Sequence, residues 1–125
     1  MSAIAVVEDN ADNRLLLEAI LDGMYDVVQY ENGVEALAGL EASLPDLVLL
    51  DISLPGMDGN EILARIRGND RLRRLPVIAL TAHAMAGDRE KYLKAGFDDY
   101  ITKPIVDETI LLSAIERWLH VAHDE

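Results

Sequence analysis

Short apolar runs rich in Val, Ile and Leu alternate five times with longer amphipathic segments, and that alternation leaves few folds open to this chain. The runs are Ala3–Val7, Tyr25–Gln29, Leu47–Leu50, Val77–Leu80 and Tyr100–Thr102. Between them the apolar spacing becomes helical. Leu15, Leu16, Ala19 and Ile20 predict one helix face, closed by Gly23; Val34, Leu37 and Leu40 predict the next, and Ile62, Leu63 and Ile66 a third. Tyr92 and Leu93 mark a fourth helix ended near Gly96, and Ile110, Leu111, Ala114, Ile115, Trp118 and Leu119 line a fifth that stops near Val121. Strands that alternate with helices predict a parallel sheet covered on both faces, and unbroken apolar strands such as Leu47–Leu50 agree. Right-handed crossovers make this an α/β, doubly wound sandwich with a five-stranded parallel sheet; a closed barrel needs eight such units.

In an open parallel sheet, ligands bind beyond the carboxyl ends of the strands. Glu8, Asp9 and Asn10 follow the first run, Asp51 the third, Thr81 the fourth, and Lys103 and Pro104 the fifth. Three carboxylates, a hydroxyl and an amine therefore converge at one end of the sheet. Crowded carboxylates repel one another and need a counter-charge. An all-oxygen donor set suits a hard cation, Mg2+ above all. A carboxylate flanked by such an ion, an ammonium and a hydroxyl suits attack on a phosphoryl group. Each residue also has a plainer reading: Asn10, Asp51, Asp58 and Thr81 can each cap a helix or close a turn, and Lys103 can be a solvated amine.

Composition narrows the partners. The formal net charge is −12, from 11 Lys plus Arg against 23 Asp plus Glu, so a polyanion is repelled and direct nucleic-acid binding is not expected. With no cysteine, a disulfide framework, a thiolate metal site and a Cys nucleophile are excluded. The N-terminus has no basic region before its apolar run, and no apolar stretch approaches the roughly 18 residues of a membrane span. A cytoplasmic protein with no membrane insertion is expected.

The stretches Val6–Asn10, Pro45–Asp51, Leu54–Gly59, Ile78–Ala82 and Asp98–Pro104, in that order and spacing, resemble the CheY-like receiver domains of two-component response regulators over essentially the whole chain. The resemblance implies a flavodoxin-like (βα)5 fold with strand order 2-1-3-4-5 and a single receiver domain, residues 1–125, without an output domain. It implies Asp51 as phosphoacceptor. Glu8, Asp9, Asp51 and the backbone carbonyl of Ser53 would hold Mg2+, or Mn2+ in its place. The acidic pair is Glu–Asp where many members have Asp–Asp, and the longer Glu8 allows contact through water. Thr81 and Lys103 would meet the phosphoryl oxygens. Thr81 and Tyr100 would form the switch, acting on the face of the fourth helix, fifth strand and fifth helix, where a downstream protein target binds. Ser53 and His83 would tune dephosphorylation, and the Lys103–Pro104 bond would be cis.

A histidine kinase or histidine phosphotransfer protein would be the donor, docking on the first helix at Asn13, Arg14 and Leu17. His120 and His123 read as solvated. The expected function is that of a signalling phosphoacceptor, not a multiple-turnover enzyme, in a two-component or phosphorelay pathway. A receiver excised from a hybrid histidine kinase is the alternative. A haloacid-dehalogenase-like phosphatase is disfavoured because Ser53 stands where a general acid is needed and no cap domain fits. A flavin protein is disfavoured because Glu8, Asp9 and Asp12 would repel the FMN phosphate, and no GxxxxGK[ST] loop exists for a nucleotide.

Overall fold

The computed structural model is described over residues 2–54, 56–82, 88–103, 105 and 107–124, with backbone only for 88, 89 and 121–124. Five strands and five helices alternate: β1 Ala3–Val7, α1 Ala11–Leu21, β2 Asp26–Tyr30, α2 Gly33–Ala42, β3 Leu47–Asp51, α3 Gly59–Arg67, β4 Val77–Thr81, α4 Asp88–Ala95, β5 Asp99–Thr102 and α5 Glu108–Asp124. The strands form one parallel sheet in the order β2-β1-β3-β4-β5. Every residue of β3 and β4 is buried, as expected of central strands covered on both faces, whereas β2 at one edge is mostly exposed.

Alternate strand residues feed two cores. Ile4, Val6, Leu47, Leu49, Ile78 and Leu80 point toward α1 and α5, where Leu17, Ile20, Leu21, Leu111 and Ile115 cover them. Val7, Val48, Leu50, Val77 and Ala79 point the other way, onto Leu40, Ile62, Leu63 and Ile66 of α2 and α3 and onto Tyr92 and Phe97. Burying each large side chain stabilises the fold by about 1.5–3 kcal/mol.

Several helix faces differ from those the spacing predicts. On α1 the buried residues are Leu17, Ile20 and Leu21, while Leu15 and Leu16 are 65% and 42% exposed and Ala19 is exposed. The run Leu15–Leu21 carries two overlapping i, i+3, i+4 stripes, and periodicity cannot choose between them. The helix entry chooses. Asn10 caps α1 through Asn13 N–H, and Arg14 ties the first turn back to the end of β1, fixing the rotation. Val34, Leu93 and Ile110 are likewise exposed rather than core. The last helix continues to Asp124, past its apolar pattern. Gly96, with φ +115, ends α4 in a conformation that a side chain would strain.

Candidate functional site

Parallel pairing sets the ends of β1, β3, β4 and β5 side by side: Val7 lies against Leu50, Asp51 against Leu80, and Thr81 against Thr102. The residues that follow share one pocket. Lys103 Nζ lies 3.3 Å from Glu8 Oε2 and 3.2 Å from Asp51 Oδ2, and both acids are almost wholly buried. Oxygens of Glu8, Asp9 and Asp51 come within 4.8 Å of one another. The other Asp51 oxygen accepts the Ser53 backbone N–H at 3.0 Å. Glu8 Oε1 accepts from Asn13 Nδ2 and from the Asn10 backbone N–H.

The charges in this pocket act on one another. Burial pushes the Glu8 carboxyl above its ordinary value of 4.5; the Asn13 hydrogen bond and Lys103 work against this, and the Asp51 charge adds to it. Burial alone would lower the Lys103 ammonium, but the charges of Asp51 and Glu8 outweigh it and hold the amine above 10.5. Lys103 thus stays charged throughout the neutral range and, among the described residues, is the cation paired with two buried acids.

Backbone contacts shape the loops. Gly59 N–H donates to Ile52 O, and a Cβ on Gly59 would stand 2.8 Å from Asp51 O and 2.7 Å from Ile52 Cα, so only glycine lets α3 start against the Asp51 turn. Lys103 N–H donates to Thr81 O at 2.7 Å, joining the ends of β4 and β5. Asn10 and Asp58 are N-caps, so the plainer reading holds for those two, and it does not exhaust Asp51 or Lys103.

Three further residues belong here for reasons sequence spacing does not carry. Asn13 and Arg14, expected at the docking face, turn inward: Asn13 holds Glu8, and Arg14 Nη1 donates to the carbonyls of Glu8 and Asp9. Leu17, expected beside them on that face, is core. Tyr92, expected as a helix-face residue, places its hydroxyl 3.0 Å from Thr81 Oγ1. Tyr100 is half-buried, its ring 5.8 Å from that of Tyr92. Trp118 is half-buried and its indole N–H donates to buried Asp99. His120 is exposed. His83, Pro104 and the side chain of His123 lie outside the described residues, so the cis-peptide expectation and the His83 half of the dephosphorylation expectation fall there, while Ser53 is described and exposed.

Fold and site together define a doubly wound α/β protein with an acidic, lysine-countered pocket at the carboxyl ends of its central strands. The chain belongs to the response regulator receiver domain family, whose model matches residues 4–116. It is 40% identical to the sensor protein GacS of Pseudomonas syringae over 95% of this chain, but spans only 14% of GacS. It is also 40% identical to the polar-differentiation response regulator DivK of Brucella anthropi, over 82% of this chain and 85% of DivK. Among solved structures, the receiver domain of a Pseudomonas aeruginosa sensor histidine kinase, with magnesium coordinated in its active-site cleft, matches with TM-score 0.85 and 38% identity, covering 95% of this chain and 98% of that one. A CheY-like receiver domain protein from Methanospirillum hungatei matches with TM-score 0.86 and 30% identity over 99% and 98%.

The donor set fits a hard divalent cation: carboxylate oxygens from Glu8, Asp9 and Asp51, with no nitrogen or sulfur ligand among the described residues. The Asp9 side chain is exposed and, among the described residues, makes no hydrogen bond or ion pair, so its carboxylate serves nothing in the fold itself. Replacing it with alanine removes one of three mutually repelling carboxylates and is expected to raise the unfolding temperature in EDTA slightly rather than lower it. In wild type, Mg2+ at about 100 times its Kd adds about 2.7 kcal/mol of stability, most of which Asp9→Ala loses. Thermal unfolding with and without Mg2+ measures both; an equal Mg2+ response in the two proteins would remove Asp9 from the site.

Proposed function

We propose that this receiver takes a phosphoryl group from a phosphohistidine onto Asp51 and uses the new charge to change which protein it binds. The observation that carries this reading is the position of Asp51: a buried carboxylate at the end of the central strand, 3.2 Å from a charged lysine and within 4.8 Å of two further acids. Glu8, Asp9 and Asp51, with the Ser53 carbonyl, would hold Mg2+, which when bound offsets negative charge on the phosphoryl oxygens. The magnesium in the cleft of the Pseudomonas aeruginosa receiver supports that assignment.

Chemically, an Asp51 carboxylate oxygen attacks phosphorus, the P–N bond to the donor imidazole breaks, and that imidazole keeps the electron pair and takes a proton. Lys103 neutralises a phosphoryl oxygen, and Thr81 donates its hydroxyl to another. Asp51 then carries roughly −1.5 to −2 charge in place of −1. Thr81 and Tyr100 pass that change to the α4-β5-α5 face, where a groove of about 450 Å³ lies between β5 and α5, lined by Tyr100, Thr102, Ile110 and Arg117. Ser53 and His83 set the rate of loss to water.

The donor is a histidine kinase or phosphotransfer protein, and exposed Leu15 and Leu16 give α1 an apolar surface for it. The target is a protein rather than a nucleic acid, given the net charge of −12. The likeness to DivK supports a receiver that acts by itself, and the likeness to GacS one within a hybrid kinase; the phosphoryl chemistry is common to both. A cytoplasmic setting belongs to the same proposal; no described helix is long and apolar enough to cross a membrane.

Intact-mass spectrometry after incubation with acetyl phosphate tests the reading. One phosphoryl adduct that requires Mg2+ and disappears in Asp51→Asn is expected. Continuous phosphate release from a generic phosphoester would point to a phosphatase, and no adduct from either acetyl phosphate or a phosphohistidine protein would make this a fixed binding module.

A further inference from the structure

Tyr92 touches both residues assigned to the switch. Its hydroxyl is 3.0 Å from Thr81 Oγ1, its ring centroid is 5.8 Å from that of Tyr100 at 42°, and it meets Phe97 edge-on at 6.1 Å. Tyr92 and Thr81 are both buried, 6% and 3% exposed. A buried phenol holds a hydrogen-bond partner firmly, because water does not replace a lost one. Tyr92 belongs to the same apolar cluster as Ile66, Ala79 and Phe97.

We propose that Tyr92 is a latch: a positioning residue whose hydroxyl holds Thr81 in its resting orientation and so opposes the phosphoryl-bound state. This rests on the assignment of Asp51 and Thr81 given above. Either hydroxyl can be the donor in that contact. Turning Thr81 about χ1 toward a phosphoryl oxygen carries Oγ1 away from Tyr92 in both cases, so the contact is worth more at rest than after the switch. An interaction that favours one of two states shifts their ratio by its differential strength. The ring of Tyr92 also packs on Tyr100, so release of the hydroxyl and movement of the aromatic switch are coupled through one side chain.

Tyr92→Phe removes the hydroxyl and keeps the ring against Tyr100 and Phe97. The probe is beryllofluoride, which mimics a phosphoryl group on a carboxylate, titrated with Mg2+ present and followed by calorimetry. Tyr92→Phe is expected to bind it about three- to tenfold more tightly than wild type, the range of one neutral hydrogen bond. Thr81→Ala is expected to bind more weakly, and adding Tyr92→Phe to it should change nothing, since the latch has lost its other half.

If Thr81→Ala binds as wild type does, the switch assignment itself fails. If Thr81→Ala weakens binding while Tyr92→Phe leaves it unchanged or weakens it, only the latch fails. A gain of equal size in both backgrounds marks general loosening and also overturns the latch. The Thr81 χ1 rotamer, read by NMR in the unmodified protein, gives a second arm that needs no variant. One resting rotamer replaced by another on beryllofluoride addition supports the latch; an averaged resting rotamer overturns it.

Discussion

Lys103→Ala is expected to destabilise the metal-free protein by about 2–3 kcal/mol at neutral pH, below the roughly 3–5 kcal/mol typical of breaking a fully buried ion pair because this pocket opens to solvent on the lysine side. The cause is in the geometry. Glu8 and Asp51 are 1% and 2% exposed, and Lys103 is the cation within 3.3 Å of both. The sign of the pH dependence follows from the shifts. The Lys103 pKa is raised in the fold, so as far as its own titration goes the contribution is present below 10.5 and is lost as pH rises through the higher folded value. The Glu8 pKa is raised too, so its share of stability is present below 4.5 and lost as pH rises through its folded value. Removing Lys103 raises Glu8 further, and the deficit against wild type should grow from pH 4.5 toward neutrality. Mg2+, bound by the same acids, should narrow it. Urea unfolding of both proteins across this range makes the measurement; a deficit independent of pH would mean that lost packing of the lysine stem, not charge, is responsible.

What could be read ahead of the structure follows from where chemistry is tied to chain position. Asp51, Thr81 and Lys103 were legible because a parallel sheet delivers whatever follows each strand to the same end, so strand prediction was enough to gather them. The strand order came from the resemblance, and the observed order agrees with it. Side-chain direction around a helix was less legible. The α1 run Leu15–Leu21 offers two equivalent stripes, and the capping and the Arg14 contacts that choose between them depend on the path of the β1–α1 loop. The docking residues came from the resemblance instead; of them Leu17 is core, while half-buried Asn13 and Arg14 also bond to Glu8 and Asp9. Tyr92 carries no motif at all. Its distance from Thr81 is set by how α4 lies on the sheet, a tertiary fact with no local signal in the sequence.

Arg67→Ala is expected to cost about 3–4 kcal/mol, the lower part of the roughly 3–6 kcal/mol that two lost hydrogen bonds to a charged donor represent, because the guanidinium is 26% exposed. Arg67 ends α3, where composition suggests nothing beyond a surface cation. Its guanidinium instead joins three segments: Nη1 donates to the carbonyls of Arg73 and Leu75 before β4, Nε and Nη2 donate to Gly96 O after α4, and Nη2 meets Asp98 at 3.0 Å. Asp98 in turn accepts the Val77 backbone N–H, tying the start of β4 into the same network. The planar fork matters more than the charge, because five donors at fixed angles satisfy carbonyls that approach from different directions. Arg67→Lys should therefore recover less than half of the loss, although it keeps the charge and most of the stem. Were the Asp98 ion pair the main term, lysine would restore nearly full stability; at 26% and 30% exposure, that pair alone contributes about 1 kcal/mol or less. Denaturant midpoints for Arg67→Ala, Arg67→Lys and Asp98→Ala separate the two accounts. Lysine near alanine assigns the stability to the carbonyl fork, and lysine near wild type assigns it to the ion pair.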